Sequence, residues 1–247
     1  MSSQRVFIIF ILIASIAAVG CETNTTSSGV QIAEKPTGPG ADILDKYLAS
    51  TKAQSEQLKG KQMEVQISAQ LPKLKKSGTM NALRKISDIG KVSYKMLGFS
   101  GDNTIKNDVI ARYLTAETQG NADAGQFAIT PNNYKFKYIG QVDENKRRAH
   151  VFKLEPKKKR VGLFKGELWI DADTYMPMRE VGSLVRTPSV FLKKVEFARV
   201  YSLENGISFP DHIDSTITTR IAGPAQIEIK FSKPRPLSAD EASTTNQ

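Results

Sequence analysis

Met63-Glu-Val-Gln-Ile-Ser-Ala-Gln-Leu71 alternates an apolar residue with a polar one at every step. A period of two puts Met63, Val65, Ile67, Ala69 and Leu71 on one face of an extended strand, with Glu64, Gln66, Ser68 and Gln70 on the other. The same alternation returns at Val92/Tyr94/Met96, Tyr134/Phe136/Tyr138, Phe164/Gly166/Leu168/Ile170 and Val195/Phe197. It appears again at Ile213/Ser215/Ile217/Thr219/Ile221 and Ala225/Ile227/Ile229/Phe231. Turn residues fall between these runs: Lys76-Ser-Gly78, Asp88-Ile-Gly90, Asp143-Glu-Asn145, Asn205-Gly206 and Ala222-Gly-Pro224. Strands wet on one side belong to an antiparallel sheet, because parallel strands are covered on both faces.

The apolar side of such a sheet must be buried, and two helices are available to cover it. Asp42 to Leu58 carries Ile43, Leu44, Tyr47 and Leu48 on one face, with Asp42 as the expected N-cap and Gly60 as the stop. Ile105 to about Thr118 aligns Ile105, Val109 and Tyr113, with Ile110 and Leu114 beside them. This second helix interrupts the strand series and is expected across the mouth of the sheet, either as part of the core or as a movable lid. The fold class is therefore mainly β with α: a single curved antiparallel sheet enclosing or capped by two helices.

Two further stretches carry a family resemblance. Ala149-His-Val-Phe-Lys-Leu-Glu-Pro-Lys-Lys-Lys-Arg160 is followed by Gly166-Glu-Leu-Trp-Ile-Asp-Ala-Asp-Thr-Tyr-Met-Pro-Met-Arg-Glu180. Together they resemble the hairpin of the LolA/LolB-like superfamily, in which a strand ending Leu-Pro-Lys pairs with one ending Trp-Ile-Asp. Gly206-Ile-Ser-Phe-Pro210 and Ile213–Ile221 are similar to its closing strands. That superfamily includes the lipoprotein carrier, its outer-membrane receptor and RseB-like regulatory proteins. The resemblance implies an unclosed β-barrel around helices, with an apolar interior that receives acyl chains in the carriers. The sequence departs from the pattern at Glu155, inserted between Leu154 and Pro156. It departs again at Gly78–Ile86, which does not match the carriers' early strand with its Gly, Trp and Arg-Pro: Arg84 is the one candidate for the lid-latching arginine, and Lys85 follows it in place of proline.

The N-terminus predicts export. One positive charge, Arg5, precedes an apolar run from Val6 to Val19. At about 15 residues, or roughly 22 Å as a helix, the run falls short of the ~30 Å hydrocarbon core and reads as a signal peptide, residues 1–20. Ala18-Val19-Gly20 suits ordinary signal peptidase. Val19-Gly20-Cys21 resembles a bacterial lipobox, which implies a diacylated Cys21. Cys21 is the chain's single cysteine, so no intramolecular disulfide can form. Asn24-Thr25-Thr26 matches a glycosylation sequon, but an exported chain without a disulfide fits bacteria better. Residues 21–40 are rich in Ser, Thr, Gly and Pro and read as a lipidated flexible tether spanning roughly 25 Å. The domain is expected over 41–232, with a disordered tail over 233–247. Expected location is the bacterial envelope, lipid-anchored and facing the periplasm, with Glu22 after the cysteine favouring the outer membrane.

Catalytic chemistry finds no foothold. The two histidines, His150 and His212, lack a second ligand at metal spacing, and nucleophile-elbow, phosphate-loop and dinucleotide motifs are absent. Asp171 and Asp173 suit a hairpin corner better than a carboxylate pair, and Trp169 suits a sheet surface. No enzyme activity, metal or cofactor is expected. The 35 Lys and Arg exceed the 25 Asp and Glu, for a net charge of +10. Lys73–Lys76, Lys146–Arg148 and Lys157–Arg160 fall at turns, as solvated tips or as sites of attraction to anionic head groups. Nucleic acid is an improbable partner for an exported chain. Two functions remain. In the first, a lipid or the acyl chain of a lipoprotein lies against the inward residues Val65, Ile67, Tyr94, Phe136, Tyr138, Leu168, Phe197 and Ile217. In the second, a regulatory or structural module binds an envelope protein through a sheet edge or the second helix, without lipid cargo.

Overall fold

The computed structural model describes residues 38, 40–122, 124–144, 146–187, 192–220 and 223–237, all within one compact unit, Glu34–Gln247. The expected signal peptide, Cys21 and the tether through residue 37 lie outside the described residues, as do residues 238–247 of the expected tail.

Helix α1 (Ala41–Leu58) opens the domain. It begins one residue before the expected cap: Gly40 is the N-cap and makes no side-chain bond. A Cβ at Gly40 would lie 2.9 Å from the Phe152 ring and from the Tyr138 Cβ, so close packing selects glycine there. Asp42 sits in the first turn, where its charge meets the positive end of the helix dipole. The helix stops as expected, with Gly60 at φ +67°. Leu44, Tyr47 and Gln54 face inward. The Gln54 amide donates to the Ser208 carbonyl (2.6 Å) and accepts from the Ser208 N–H (3.0 Å), fastening α1 to the sheet with both polar groups satisfied.

Strands β1 (Lys61–Leu71), β2 (Lys76–Ile86) and β3 (Val92–Gly101) form an antiparallel meander. The first turn is not at Lys76–Gly78. Pro72–Leu74 form a 3₁₀ turn, Lys75 takes a left-handed conformation, and Lys76 already starts β2. Proline's fixed φ sets that turn earlier than the glycine suggested. A helical insertion follows β3: a π-helical turn, Ile105–Ile110, then α2 (Ala111–Ala122) and the single turn α3 (Ala124–Phe127). Seven strands complete the sheet: β4 (Tyr134–Glu144), β5 (Arg147–Pro156), β6 (Phe164–Asp171), β7 (Pro177–Leu184), β8 (Leu192–Glu204), β9 (Ile207–Thr219) and β10 (Pro224–Phe231). The last returns to pair with β1, Ile67 opposite Ile229. The order is β3-β2-β1-β10-β9-β8-β7-β6-β5-β4, every neighbour antiparallel. This is a curved, unclosed sheet whose two edges, free among the described residues, are β3 and β4, the strands joined by the helical insertion. Pairing continues past residue 232: β11 (Arg235–Pro236) bonds to β1 at Lys61 and Gln62.

The concave side holds two main apolar clusters. One gathers Val65, Ile67, Met80, Ile213, Ile227 and Ile229 around Ile105 and Ile110 of the helical insertion. The other gathers Tyr134, Phe152, Leu154, Leu168 and Ile170 around Leu44 and Tyr47 of α1. Fully burying a side chain of this size contributes roughly 1.5–3 kcal/mol, so each helix is held by the patch it covers. In the second cluster Gly166 lies directly opposite Gly182. A Cβ on Gly166 would collide with the Val181 carbonyl, and one on Gly182 would meet the Phe164 ring, which packs edge-on against Phe197 at 5.0 Å.

Candidate functional site

All eight expected lining residues belong to the concave side, but they do not form one wall. Val65 (2% exposed) and Ile67 (0%) are closed inside the first cluster, with Tyr94 and Ile217 half-buried against it. Leu168 (0%) is closed inside the second, with Phe136, Tyr138 and Phe197 packed on its margin. The Arg84 Nε donates to the Tyr94 hydroxyl at 3.1 Å, tying β2 to β3.

Between the clusters lies a polar group that the alternation did not reveal. In register across the sheet, Leu168 stands opposite Glu180, Glu180 opposite Arg199, and Arg199 opposite Ile213. The buried Glu180 carboxylate accepts from the Arg199 Nη1 (2.9 Å) and from the Tyr201 hydroxyl (2.6 Å). Burial pushes the Tyr201 phenol upward, and the Glu180 charge adds to it. Burial alone would lower the Arg199 pKa, but Tyr201 and Glu180 hold the guanidinium charged. Tyr47 on α1 is likewise raised, by burial first and then by Glu180, and Tyr134 is pushed up to about 12, chiefly by burial. Neutral tyrosines therefore flank one ion pair, whose carboxylate is buried and whose guanidinium side chain is 36% exposed. The sequence signal was present: continuing β8 from Val195 and Phe197 points Arg199 and Tyr201 inward.

The other sequence candidates resolve into local roles. Asp171 caps the β6–β7 corner. Its Oδ1 accepts from the Asp173 N–H (3.1 Å), the Thr174 N–H (2.8 Å) and the Thr174 hydroxyl (2.8 Å), while Oδ2 accepts from Arg147 at 3.0 and 2.6 Å. Burial opposes ionisation there, but the Thr174 and Arg147 bonds outweigh it and hold the carboxyl below its usual value. His150 is buried on β5, 3.0 Å from the Tyr138 hydroxyl and stacked against Tyr175; burial, then Arg148, lowers its pKa. His212 lies on β9 beside Asp211. Trp169 faces outward from β6, its indole N–H donating to Glu167 at 3.0 Å and its ring 5.7 Å from the Arg179 guanidinium. Among the described residues no group of three His, Cys, Asp or Glu could hold a metal ion, and no helix is long and apolar enough to cross a membrane.

Open surface lies elsewhere. Two shallow depressions, about 320 and 400 Å³, occur on the outer face, one lined by Ser68, Thr79 and Glu228 and the other by Lys165, Glu196 and Asp214. Both free edges carry a bulge with an exposed aliphatic residue. Leu97 is the extra residue of β3, where Asn81 pairs with Gly98 and Ala82 with Met96. Ile139 is the extra residue of β4, where Phe152 pairs with Tyr138 and Val151 with Gly140. Each is 56% exposed.

Neither a protein-family model nor a curated protein matches the chain. Among solved structures, a DUF1329 family protein from Desulfovibrio piger aligns at 14% identity over 85% of this chain and 100% of that one, TM-score 0.46. A LolA superfamily protein from Nitrosomonas europaea aligns at 13% identity over 82% and 95%, TM-score 0.39. The Pseudomonas aeruginosa MucA/MucB complex aligns at 12% identity over 81% and 100%, TM-score 0.26. At these identities the likeness concerns the fold.

Proposed function

We propose that this chain is a bacterial envelope module, anchored through a lipid on Cys21 and facing the periplasm, that binds a protein partner at the edge of its sheet. The observation that carries this reading is where the apolar surface lies. Val65, Ile67 and Leu168, which a cargo cavity would display, are closed into packed clusters, and the Glu180–Arg199 ion pair, its carboxylate buried and its guanidinium half-buried, sits between them. A site for a lipid-sized ligand needs several hundred Å³ of largely apolar space. Exposed apolar side chains on the sheet itself stand instead on β3 and β4, at Met96, Leu97 and Ile139, with Leu74, Ile89 and Val161 exposed at turns. Strands β3 and β4 are edges whose backbone groups can extend the sheet onto another chain. The Cys21 lipid would hold such edges near the membrane, within reach of other envelope proteins.

A second reading keeps a lipid or acyl chain in the interior. It is favoured by Phe136, Tyr138, Phe197 and Ile217, which are half-buried on the margins of the clusters. The test is photo-crosslinking in cells, with benzoylphenylalanine at Leu97, at Ile139 and, as a control, at Glu64. Partner binding gives a discrete protein adduct from an edge position and none from Glu64. No protein adduct at either edge, together with a lipid that co-purifies in equal amount, would replace this reading with the second.

A further inference from the structure

The two free edges differ in charge. On β4, Lys135 and Lys137 are exposed, Lys153 is exposed on the neighbouring β5, and Lys157, Lys158 and Lys159 follow in the loop beyond. None of these six makes an ion pair or a side-chain hydrogen bond among the described residues. Of the carboxylates around them, Glu155 stands opposite Lys135 but bonds to Lys165 (3.4 Å), Glu144 pairs with Arg179 (3.0 Å), Glu167 accepts from the Trp169 indole, and Asp143 lies at the far end of β4, six residues beyond Lys137. Lys137 stands directly opposite Lys153, a like-charge cross-strand pair that destabilises the hairpin. Lysine on an edge strand ordinarily deters sheet extension. Here the same edge exposes Ile139, so its first half combines unpaired backbone, an adhesive side chain and a local excess of positive charge.

We infer that the β4 edge accepts an extended acidic segment of a partner protein as an added strand. This rests on the partner-binding reading above and specifies its edge and its chemistry. Backbone bonds to β4 supply the docking, carboxylates at alternate positions of the added strand lie beside Lys135 and Lys137, and an apolar residue covers Ile139. The β3 edge exposes Leu97 with a single lysine, Lys95, and has no comparable charge selectivity. An anionic lipid surface would also meet the lysines, but it offers no ladder of donors and acceptors to the open backbone.

The experiment uses the full chain in neutral detergent, with fluorescence anisotropy of labelled peptides of about ten residues, somewhat longer than an ordinary strand. The probes are an alternating Glu/Val peptide, its Lys/Val counterpart, and the Glu/Val peptide N-methylated at alternate residues. The acidic peptide is expected to bind, more weakly as salt rises, and the other two to fail. Lys135→Glu with Lys137→Glu, both on the exposed face, is expected to weaken binding about tenfold, the order given by two ion pairs lost and two repulsions gained. Absence of binding, equal binding of the N-methylated peptide, or unchanged affinity in the double variant overturns the inference. So does binding to phosphatidylglycerol vesicles alone, which would make the lysines a lipid-facing patch. Crosslinking at Leu97 separates the two levels: a protein captured there, with no peptide bound at β4, discards only the β4 assignment. No protein at either edge discards both.

Discussion

Replacing Leu168 with alanine distinguishes a packed interior from an open one. Leu168 is wholly buried among Leu44, Phe152, Leu154 and Ile170. The substitution removes three carbons, and at roughly 0.8 kcal/mol per buried CH₂ the transfer term alone is about 2.4 kcal/mol. Neighbours on a hydrogen-bonded sheet and a fastened helix close the gap only in part, and the residual void brings the loss to about 3–4 kcal/mol, within the usual 2–5 range. Had Leu168 lined an open cavity, much of its surface would already lack partners, and the loss would fall to about 1 kcal/mol or less. The assay is equilibrium urea unfolding followed by the fluorescence of the single tryptophan, Trp169. With m near ~2 kcal/mol/M, the midpoint should drop by about 1.5–2 M. A drop below about 0.5 M would refute the packed interior.

Ile67→Ala lies in the other cluster, so its loss should add to that of Leu168→Ala within about 0.5 kcal/mol; strong coupling in the double-mutant cycle would mean that the two clusters share one space. Arg199→Leu leaves Glu180 buried without its cation and should cost about 3 kcal/mol, whereas Arg199→Leu with Glu180→Leu should recover most of that loss. Asp171 is more acidic folded than its ordinary value of 3.8, so its contribution is complete above that value and is lost as pH falls through the lower folded value. Asp171→Asn should accordingly flatten the acid limb of a stability-against-pH curve; an unchanged limb would remove Asp171 from the account. Leu97→Asp and Ile139→Asp change exposed positions and should leave the urea midpoint within about 0.5 kcal/mol of the parent, while abolishing the protein adduct at the edge carrying the change.

Strands that alternate cleanly were legible in the sequence. Met63–Leu71 and Ala225–Phe231 read directly as β1 and β10, because every inward position there is apolar. β7 was not found by alternation, and β8 was seen only at Val195 and Phe197. The reason is physical: Glu180, Arg199 and Tyr201 point inward, and an inward-facing polar cluster looks in sequence like the solvent face. The β1–β2 turn was displaced because proline and a left-handed lysine made it, where glycine had been expected. The candidate site was legible as a face and not as a volume. Period two assigns Ile67 and Leu168 to the inside equally well for a filled core or an empty one, since that difference depends on the helices that come to lie against them. The edge strands were legible as strands, but only topology identifies β3 and β4 as the strands without outer neighbours among the described residues, and only the paired register shows that Leu97 and Ile139 are bulge residues.

Native mass spectrometry of residues 34–247, the compact unit, separates a filled interior from a lipid-loaded one when the protein is purified without detergent and then exposed to phospholipid and to an acylated peptide. A filled interior gives the bare protein mass before and after both challenges. A stoichiometric lipid or acyl adduct that survives desolvation and is lost in Ile217→Glu would contradict it, and would make the interior, not the edge, the working surface of the molecule.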